Sequence, residues 1–253
     1  MYINLSGLNI LVTGASRGIG KAIATKLAEA GATIAVHYNK NTREAENLAY
    51  VLGNESKPFQ ADLSKKDEAA KLFERVILEM GSIEILINNA GIAKPVSYDS
   101  SDENWQKIWD ETIMVNLTSP SILCKKAIEY FIKNKSAGRI INITSRAAFS
   151  GEKAEFLPYG ITKAGLTALT KTIAQSYGKQ GIKAFAVAPG FVNTDMAKGF
   201  IDKFGEAYTQ EDLSLERLTE PKDLAPLITF IASGMADHAT GSTFDMNAGS
   251  YMH

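Results

Sequence analysis

The chain has 253 residues, of which 45% are hydrophobic, a formal net charge of −1 and a single cysteine, Cys124. The near-zero charge excludes a global field that attracts nucleic acid or an anionic membrane, and one cysteine excludes an intramolecular disulfide. No apolar run approaches the roughly 20 residues that span a bilayer, and residues 1–5 lack the regions of a signal peptide. We therefore expect a cytoplasmic protein with one domain over residues 1–253 and no nucleic-acid or membrane partner.

Apolar segments that suit buried strands alternate along the chain with amphipathic helical patterns. The predicted strands, in chain order, cover residues 8–13, 33–38, 57–60, 83–87, 139–144, 183–188 and 243–246. Between them we expect helices, with Ser64 as the N-cap of the third, and with Pro120 bending a long one over residues 102–133. Residues 196–220 are expected to be irregular or loosely helical. The alternation predicts an α/β fold, a single doubly wound Rossmann-type parallel sheet with helices on both faces.

The first motif is a glycine-rich loop, TGASRGIG from Thr13 to Gly20, which follows the first strand and opens the first helix. Its glycines permit a tight turn, and a helix N-terminus offers free N–H groups to a pyrophosphate. The alternative is a glycine-rich turn without a ligand. Its place between the first strand and the first helix favours a dinucleotide site.

The second motif is the pair Tyr159 and Lys163, four residues apart behind Pro158, which suits a first helical turn. That spacing puts both side chains on one helix face. Tyrosine has an ordinary pKa of about 10, and a fixed ammonium beside it lowers that pKa. Such a tyrosine can exchange a proton with a carbonyl or hydroxyl oxygen. An ordinary helix face with a solvated lysine is the alternative.

Taken together, the motifs make the chain similar to the short-chain dehydrogenase/reductase family over nearly its whole length. They occur in family order: the glycine loop, Asp62, Asn88-Asn89-Ala90-Gly91, Asn116, Ser145, Tyr159, Lys163, and Pro189-Gly190 with Val192 and Thr194. The resemblance implies the following catalytic roles. Tyr159 is the general acid/base, Lys163 lowers its pKa and holds the nicotinamide ribose, Ser145 orients the substrate oxygen, and Asn116 holds a relay water.

The same resemblance implies a nicotinamide dinucleotide as cofactor. Asp62 would contact the adenine amino group, with a helix-cap role as the alternative, and Asn88 would be structural. The implied cofactor residues are Gly14, Ser16, Arg17, Gly18, Ile19, Gly20, Asn39, Lys40, Asp62, Leu63, Asn89, Ala90, Gly91, Pro189, Gly190, Val192 and Thr194.

Cofactor choice depends on the end of the second strand, where enzymes that use NAD usually carry an acidic residue. The segment His37-Tyr38-Asn39-Lys40-Asn41 has none, whereas Arg17 and Lys40 are cations that can pair with a 2′-phosphate. We therefore predict a preference for NADP(H), with NAD(H) as the second choice. The alternative is that both cations are solvated surface charges.

One departure from the family pattern lies between Ser145 and Tyr159, where thirteen residues intervene, one more than usual for the family. The segment from Glu152 to Glu155 is expected to be a loop that absorbs the insertion. Ser150 is a competing hydroxyl, but Ser145 directly follows a strand and is preferred.

The resemblance implies an oxidoreductase that acts on a small-molecule carbonyl or alcohol and assembles as a homotetramer. Residues 190–194, with Arg217-Leu218 and Glu220-Pro221, resemble the 3-oxoacyl-thioester reductase branch, while Gln175 stands where carrier-protein reductases often have arginine. Glucose-type dehydrogenation, a non-catalytic redox sensor and a nucleotide-sugar epimerase remain as alternatives. A substrate loop is expected at about residues 195–215.

Four other features are given structural readings. His37, His238 and His253 show no metal-ligand spacing, so no metal is expected. Arg146 is expected to form a salt bridge, with substrate contact as the alternative. Trp105, Trp109 and Cys124 are assigned to packing.

Overall fold

The computed structural model describes residues 3–205, 208 and 210–252, without the side chain of Lys203. The residues outside this description are Met1, Tyr2, Glu206, Ala207, Thr209 and His253. Parts of the predicted N-terminal segment and of the predicted substrate loop therefore lie outside the described residues. The strands are β1 (Asn9–Val12), β2 (Thr33–Tyr38), β3 (Lys57–Gln60), β4 (Ile85–Asn88), β5 (Gly138–Ile143), β6 (Ile182–Pro189) and β7 (Thr243–Met246). The helices are α1 (Gly18–Glu29), α2 (Thr42–Leu52), α3 (Glu68–Met80), α4 (Asp102–Ile113), α5 (Ser119–Asn134), α6 (Ala147–Ser150), α7 (Leu157–Tyr177), α8 (Asp195–Phe204) and α9 (Pro221–Ala232).

All of these strands belong to one sheet, and every pair of neighbours is parallel. The strand order is β3-β2-β1-β4-β5-β6-β7, so the order reverses between β1 and β4. This confirms the predicted doubly wound fold. Ligands in such sheets bind beyond the carboxyl ends of the strands at this switch point, because the loops there diverge to opposite faces.

The sheet is covered on both faces because its strand residues alternate between two apolar cores. In β1, Ile10 and Val12 belong to one core, whereas Leu11 belongs to the other. Helices α1 and α9 cover the first face, and α3, α5 and α7 cover the second. This double burial explains why the strands are nearly continuous apolar runs.

One local prediction was wrong. Ser64 does not cap α3, because its N–H and hydroxyl both donate to Asp62 Oδ1 in a turn, and the helix begins later, after Asp67. The long predicted helix is interrupted by a π-helical turn over Met114–Thr118, and Pro120 follows this turn directly, in the first turn of α5.

The segment after β6 is more regular than expected. A helix, α8, covers Asp195–Phe204, where the sequence suggested irregular or loose structure. Its apolar side chains pack onto an aromatic group outside the helix, with the rings of Phe156 and Phe200 stacked 4.3 Å apart between centroids. Tertiary ring contacts therefore stabilise a helix whose local pattern was weak.

Candidate active site

The glycine-rich loop that follows β1 has no space for a side chain at two of its glycines. A Cβ atom on Gly20 would collide with the carbonyl oxygen of Gly14, and one on Gly14 would lie 3.0 Å from Ala90 Cα. Gly14 and Gly18 also have positive φ angles of 65° and 53°, which glycine adopts readily. The loop therefore presents bare backbone at the N-terminus of α1, as close approach of a pyrophosphate requires.

His37 anchors this loop from β2, a role that the sequence pattern did not indicate. The backbone N–H of Gly14 donates to His37 Nδ1 over 2.9 Å, and His37 Nε2 lies 3.1 Å from the carbonyl oxygen of Ala61. This arrangement requires a neutral ring with its proton on Nε2. Burial lowers the pKa of His37 from 6.5 to about 4, so the ring remains neutral at physiological pH.

Asn89 ties the same loop to β4. The hydroxyl of Thr13 accepts from the backbone N–H groups of Asn89 and Ala90, at 2.9 and 3.0 Å. Asn89 Nδ2 returns a hydrogen bond to the carbonyl oxygen of Thr13 at 2.8 Å. Its neighbour Asn88 is buried and donates to Asn142 Oδ1 at 2.8 Å, in agreement with the structural role expected for it.

Asp62 lies at the far end of the cleft, beyond β3. Its Oδ1 accepts from the Ser64 hydroxyl at 2.7 Å and from Asn39 Nδ2 at 3.2 Å. The hydrogen bond from Ser64 holds the pKa of the Asp62 carboxyl below its usual value, so it is ionised at neutral pH. The alternative that Asp62 caps α3 is wrong, because the N-cap of that helix is Asp67.

The two cations expected to select the cofactor differ in their contacts. Arg17 Nη1 lies 2.8 Å from Asp195 Oδ2, an ion pair that joins the glycine loop to the first residue of α8. Both side chains are 65% exposed, so water screens the pair. Lys40 is exposed, and it lines the same part of the cleft as Arg17.

The cleft is continuous from Asp62 to Tyr159, and every predicted cofactor residue lines it. The adenosine end and the catalytic end share part of their walls, namely Ile19, Asn89, Gly91, Thr194 and Met196. Gly14 and Gly20 line the adenosine end, and Gly190, where a Cβ atom would be 3.0 Å from Asn247, lines the catalytic end. The residues present therefore fit an extended dinucleotide.

Tyr159 and Lys163 lie one turn apart on α7, at the other end of the cleft. Lys163 Nζ is 5.6 Å from the centroid of the Tyr159 ring and donates to the carbonyl oxygen of Ile143 at 2.9 Å. The lysine side chain is buried, and burial lowers its pKa from 10.5 to about 8. A buried ammonium is thus held under the phenol by one backbone carbonyl.

The prediction that Lys163 depresses the pKa of Tyr159 is not what this structure shows. Burial raises the pKa of Tyr159 above its usual value, the hydrogen bond with Ser145 opposes that rise, and the charge of Glu152 adds to it. Burial prevails because it disfavours the phenolate directly, whereas the ammonium of Lys163 lies across the ring and is committed to Ile143. Tyr159 is therefore fully protonated at neutral pH.

Ser145 directly follows β5 and reaches Tyr159 as expected. Its Oγ accepts from the N–H of Ala147 at 3.2 Å and hydrogen-bonds with the Tyr159 side chain. The competing residue Ser150 is exposed, and its hydroxyl donates to the carbonyl oxygens of Arg146 and Gly151. The structure thus brings Ser145, and not Ser150, to the phenol.

Asn116 lies inside the π-helical turn and is fully buried. Its amide makes two hydrogen bonds of 2.8 Å with the backbone of Ile92, accepting from the N–H and donating to the carbonyl. Asn116 Oδ1 and Lys163 Nζ are both 3.4 Å from the position that a Cβ atom on Gly91 would occupy. Asn116 therefore lies behind Lys163, in the second layer of the site.

The cavity above Tyr159 contains charged residues that the sequence assigned elsewhere. Glu152, expected only to absorb an insertion in a loop, lines this cavity together with Arg146. Arg146 forms the expected salt bridge, 3.5 Å from Asp212, while it also faces the cavity. No sequence motif marks Glu152, which belongs to the segment that absorbs the insertion, whereas Arg146 directly follows Ser145 and fits the alternative of substrate contact.

Of the residues expected to pack, Cys124 lies in a buried core, whereas Trp105 and Trp109 are half-buried and stack on each other. Trp105 and Trp109 stack at 6.2 Å between ring centroids, and Trp105 stacks on Tyr98 at 5.1 Å. Cys124 is buried, and burial raises its pKa to about 12. In the part of the chain that the structure describes, no cluster of His, Cys, Asp and Glu could hold a metal ion. Within the same residues, no helix has the length and hydrophobicity to cross a bilayer.

A parallel sheet with this strand order, a glycine loop at its switch point and a tyrosine, lysine and serine at its carboxyl edge define a dinucleotide-dependent oxidoreductase. A family model described as enoyl-(acyl carrier protein) reductase matches residues 14–251. The chain therefore belongs to the short-chain dehydrogenase/reductase family, as its motifs predicted.

Curated relatives and solved structures extend this assignment along the whole chain. The 3-oxoacyl-[acyl-carrier-protein] reductase FabG of Staphylococcus epidermidis is 38% identical over 245 residues, covering 96% of this chain and 98% of the relative. The 3beta-hydroxysteroid dehydrogenase 1 of Eggerthella lenta is 34% identical over 254 residues, covering 98% of this chain and 95% of the relative. A short chain dehydrogenase from Burkholderia cenocepacia, solved in complex with NADP, superimposes with a TM-score of 0.88 at 28% identity, covering 98% of this chain and 99% of that one.

Proposed function

We propose that the chain catalyses reversible, NADP(H)-dependent hydride transfer between nicotinamide and a ketone or secondary alcohol, as a cytoplasmic homotetramer. The observation that carries the proposal is the Tyr159 phenol, which meets Ser145 in a cavity continuous with the glycine-loop cleft. Bound NADPH would supply the hydride to the carbonyl carbon. The residues of the chain supply position, protons and charge.

In the direction of reduction, Tyr159 gives a proton to the carbonyl oxygen, and its raised pKa keeps it protonated for that step at neutral pH. Ser145 holds the same oxygen in reach of the phenol. Lys163 provides positive charge beneath the ring as the phenolate forms, and Asn116 holds the backbone of Ile92 and one wall of the lysine pocket.

The cofactor preference is supported by cations at the adenosine end of the cleft and by the lack of an acidic residue after β2. Arg17 and Lys40 line the region where a 2′-phosphate would lie. The NADP complex of the Burkholderia structure supports the same preference. The names of the FabG relatives make 3-oxoacyl thioesters one class of substrate to test.

NADPH oxidation with a panel of ketones and 3-oxoacyl thioesters tests the proposal. Tyr159→Phe should lower kcat by about 10²–10⁴-fold, because it removes the proton donor. NADPH binding, followed by the change in cofactor fluorescence, should persist in the variant, because the phenol oxygen is not needed to hold the dinucleotide. A redox sensor would bind NADPH without turnover in either protein, and that result would overturn the proposal.

A further inference from the structure

Two opposite charges face the cavity above Tyr159 in addition to the catalytic groups. They are the guanidinium of Arg146 and the carboxylate of Glu152. The rest of the cavity wall on this side is aromatic or apolar, with Phe191, Met196 and Phe200. A charge placed in such a wall is costly unless it has partners, so each of the two calls for an explanation.

Glu152 is held in place by one of its oxygens. Its Oε1 accepts from the hydroxyl of Tyr208 at 3.0 Å and from the N–H of Lys153 at 3.0 Å. Glu152 lines the same cavity as Tyr159, and its Cβ atom lies 3.8 Å from the position that a Cβ atom on Gly160, the residue after Tyr159, would occupy. Its negative charge contributes to the raised pKa of Tyr159. The carboxylate is therefore a fixed acceptor in the cavity that contains the reacting phenol.

Arg146 lines the same cavity and is largely buried, with 14% of its side chain exposed. Its guanidinium lies 5.1 Å from the centre of the Phe191 ring and pairs with Asp212 at 3.5 Å. Tyr208 links the two charges, because its hydroxyl donates to Glu152 and its ring centre lies 5.5 Å from that of Phe191.

These two charged side chains restrict the charge and polarity that a substrate can carry beside its reacting carbonyl. Arg146 is paired with Asp212, whereas Glu152 accepts only from the neutral donors Tyr208 and Lys153 N–H, so Glu152 would repel an anionic group beside the carbonyl. An alkyl group would strip water from the carboxylate without replacing its hydrogen bonds. A neutral hydroxyl can donate to Glu152, and its oxygen can accept from a neighbouring donor.

We propose that Glu152 is a specificity-determining residue that selects neutral ketones with a hydroxyl on a carbon next to the reacting carbonyl. This inference rests on the proposed reductase function and narrows its substrate class to hydroxyketones and the corresponding polyols. It places apolar ketones and 3-oxoacyl thioesters second, because neither brings a donor to Glu152.

Pairs of ketones with matched shape test the proposal, namely hydroxyacetone against butanone and dihydroxyacetone against diethyl ketone. In the wild type, kcat/KM with NADPH should favour the hydroxylated member of each pair by about tenfold or more, since a charge-assisted hydrogen bond is at stake. Acetoacetate, as an anion, should be a poor substrate.

Glu152→Leu should reverse the preference. It should lower kcat/KM for hydroxyacetone by about tenfold and raise that for butanone severalfold, because the carboxylate that an alkyl group would desolvate is gone. Glu152→Gln should lie between, since it keeps one acceptor oxygen but loses the charge. Glu155→Gln, the same change three residues along and outside the cavity wall, is the matched control and should retain the wild-type ratio.

The outcomes separate the two levels of the proposal. Turnover with the same hydroxyketone-to-ketone ratio in the wild type and Glu152→Leu would overturn the role of Glu152 and leave the reductase function standing. No turnover with any ketone or thioester would overturn the reductase function and this inference with it. A circular dichroism melt of each variant shows whether that variant is folded. If Glu152→Leu is unfolded, the hydroxyketone-to-ketone ratio of Glu152→Gln, expected to be intermediate, decides the test instead.

Discussion

The two ends of the cleft hold their polar side chains in opposite ways. At the catalytic end, Lys163 and Asn116 are 4% and 0% exposed, and backbone atoms of Ile143 and Ile92 fix them. At the adenosine end, Arg17 is 65% exposed and pairs with another exposed side chain, Asp195. The groups proposed for the chemistry are thus fixed in place by folding, whereas the charges proposed to select the cofactor lie on the surface and can change at little cost in stability.

The largest expected effect on this contrast is that of removing the charge of Lys163 at the catalytic end. Lys163→Met keeps the length of the side chain but removes the charge, so kcat/KM should fall by about 10²-fold or more. The free energy of unfolding should change by no more than about 2 kcal/mol, because relief from a buried ammonium offsets the lost hydrogen bond to Ile143.

Steady-state kinetics and urea unfolding of the same preparation check both parts. Retention of wild-type turnover would remove Lys163 from the catalytic end. A loss of stability of several kcal/mol would show that the ammonium is held more favourably than its burial indicates.

The second effect concerns His37, a buried group at the otherwise exposed end. His37→Ala leaves the N–H of Gly14 and the carbonyl of Ala61 without their partners, which should cost on the order of 3 kcal/mol in unfolding free energy. Chemical unfolding at neutral pH measures it. An unchanged midpoint would mean that water replaces the ring without cost.

His37 also predicts how stability depends on pH. Its pKa is about 4 in the folded protein and 6.5 in the ordinary case, so between these values the unfolded chain binds more protons. Stability from this residue is therefore complete above about pH 6.5 and is lost as pH falls towards 4, by on the order of 3 kcal/mol. His238→Gln, at an exposed site, should keep the wild-type slope, and His37→Ala should flatten it.

The smallest expected effect tests whether the exposed charge of Arg17 at the adenosine end selects the cofactor. Arg17→Ala should raise KM for NADPH by about tenfold and leave KM for NADH nearly unchanged, because only NADPH carries the 2′-phosphate. Asp195→Asn releases Arg17 from its ion pair and should lower KM for NADPH instead. Equal changes for the two cofactors in Arg17→Ala would count against a role in selection.

Much of the fold and the site follows from local patterns. Ser145 and the glycine loop come directly after strands, so a parallel sheet necessarily brings them to one edge. His37 and Glu152 could not be found this way. The role of His37 depends on atoms of two neighbouring strand ends, and that of Glu152 on how an inserted loop folds back over the phenol.

The direction of the pKa shift of Tyr159 could not be predicted from the sequence for a related reason. Spacing on a helix reveals that a cation is near, but it does not reveal how much water is excluded or which carbonyl the cation prefers. In the folded protein the exclusion of water prevails, and Lys163 turns to Ile143. Desolvation is a property of the assembled site, so a single sequence carries little information about it.

The π-helical turn at Met114–Thr118 constrains how this chain can vary in length. Such a turn contains one residue more than regular α-helix needs, and each residue turns a helix by about 100°. Loss of a single codon there would let the helix become regular, swing the Asn116 amide away from Ile92 and open the floor beneath Lys163. An extra residue that looks like an irregularity is, in this protein, what aligns two halves of a long helix with the reaction centre.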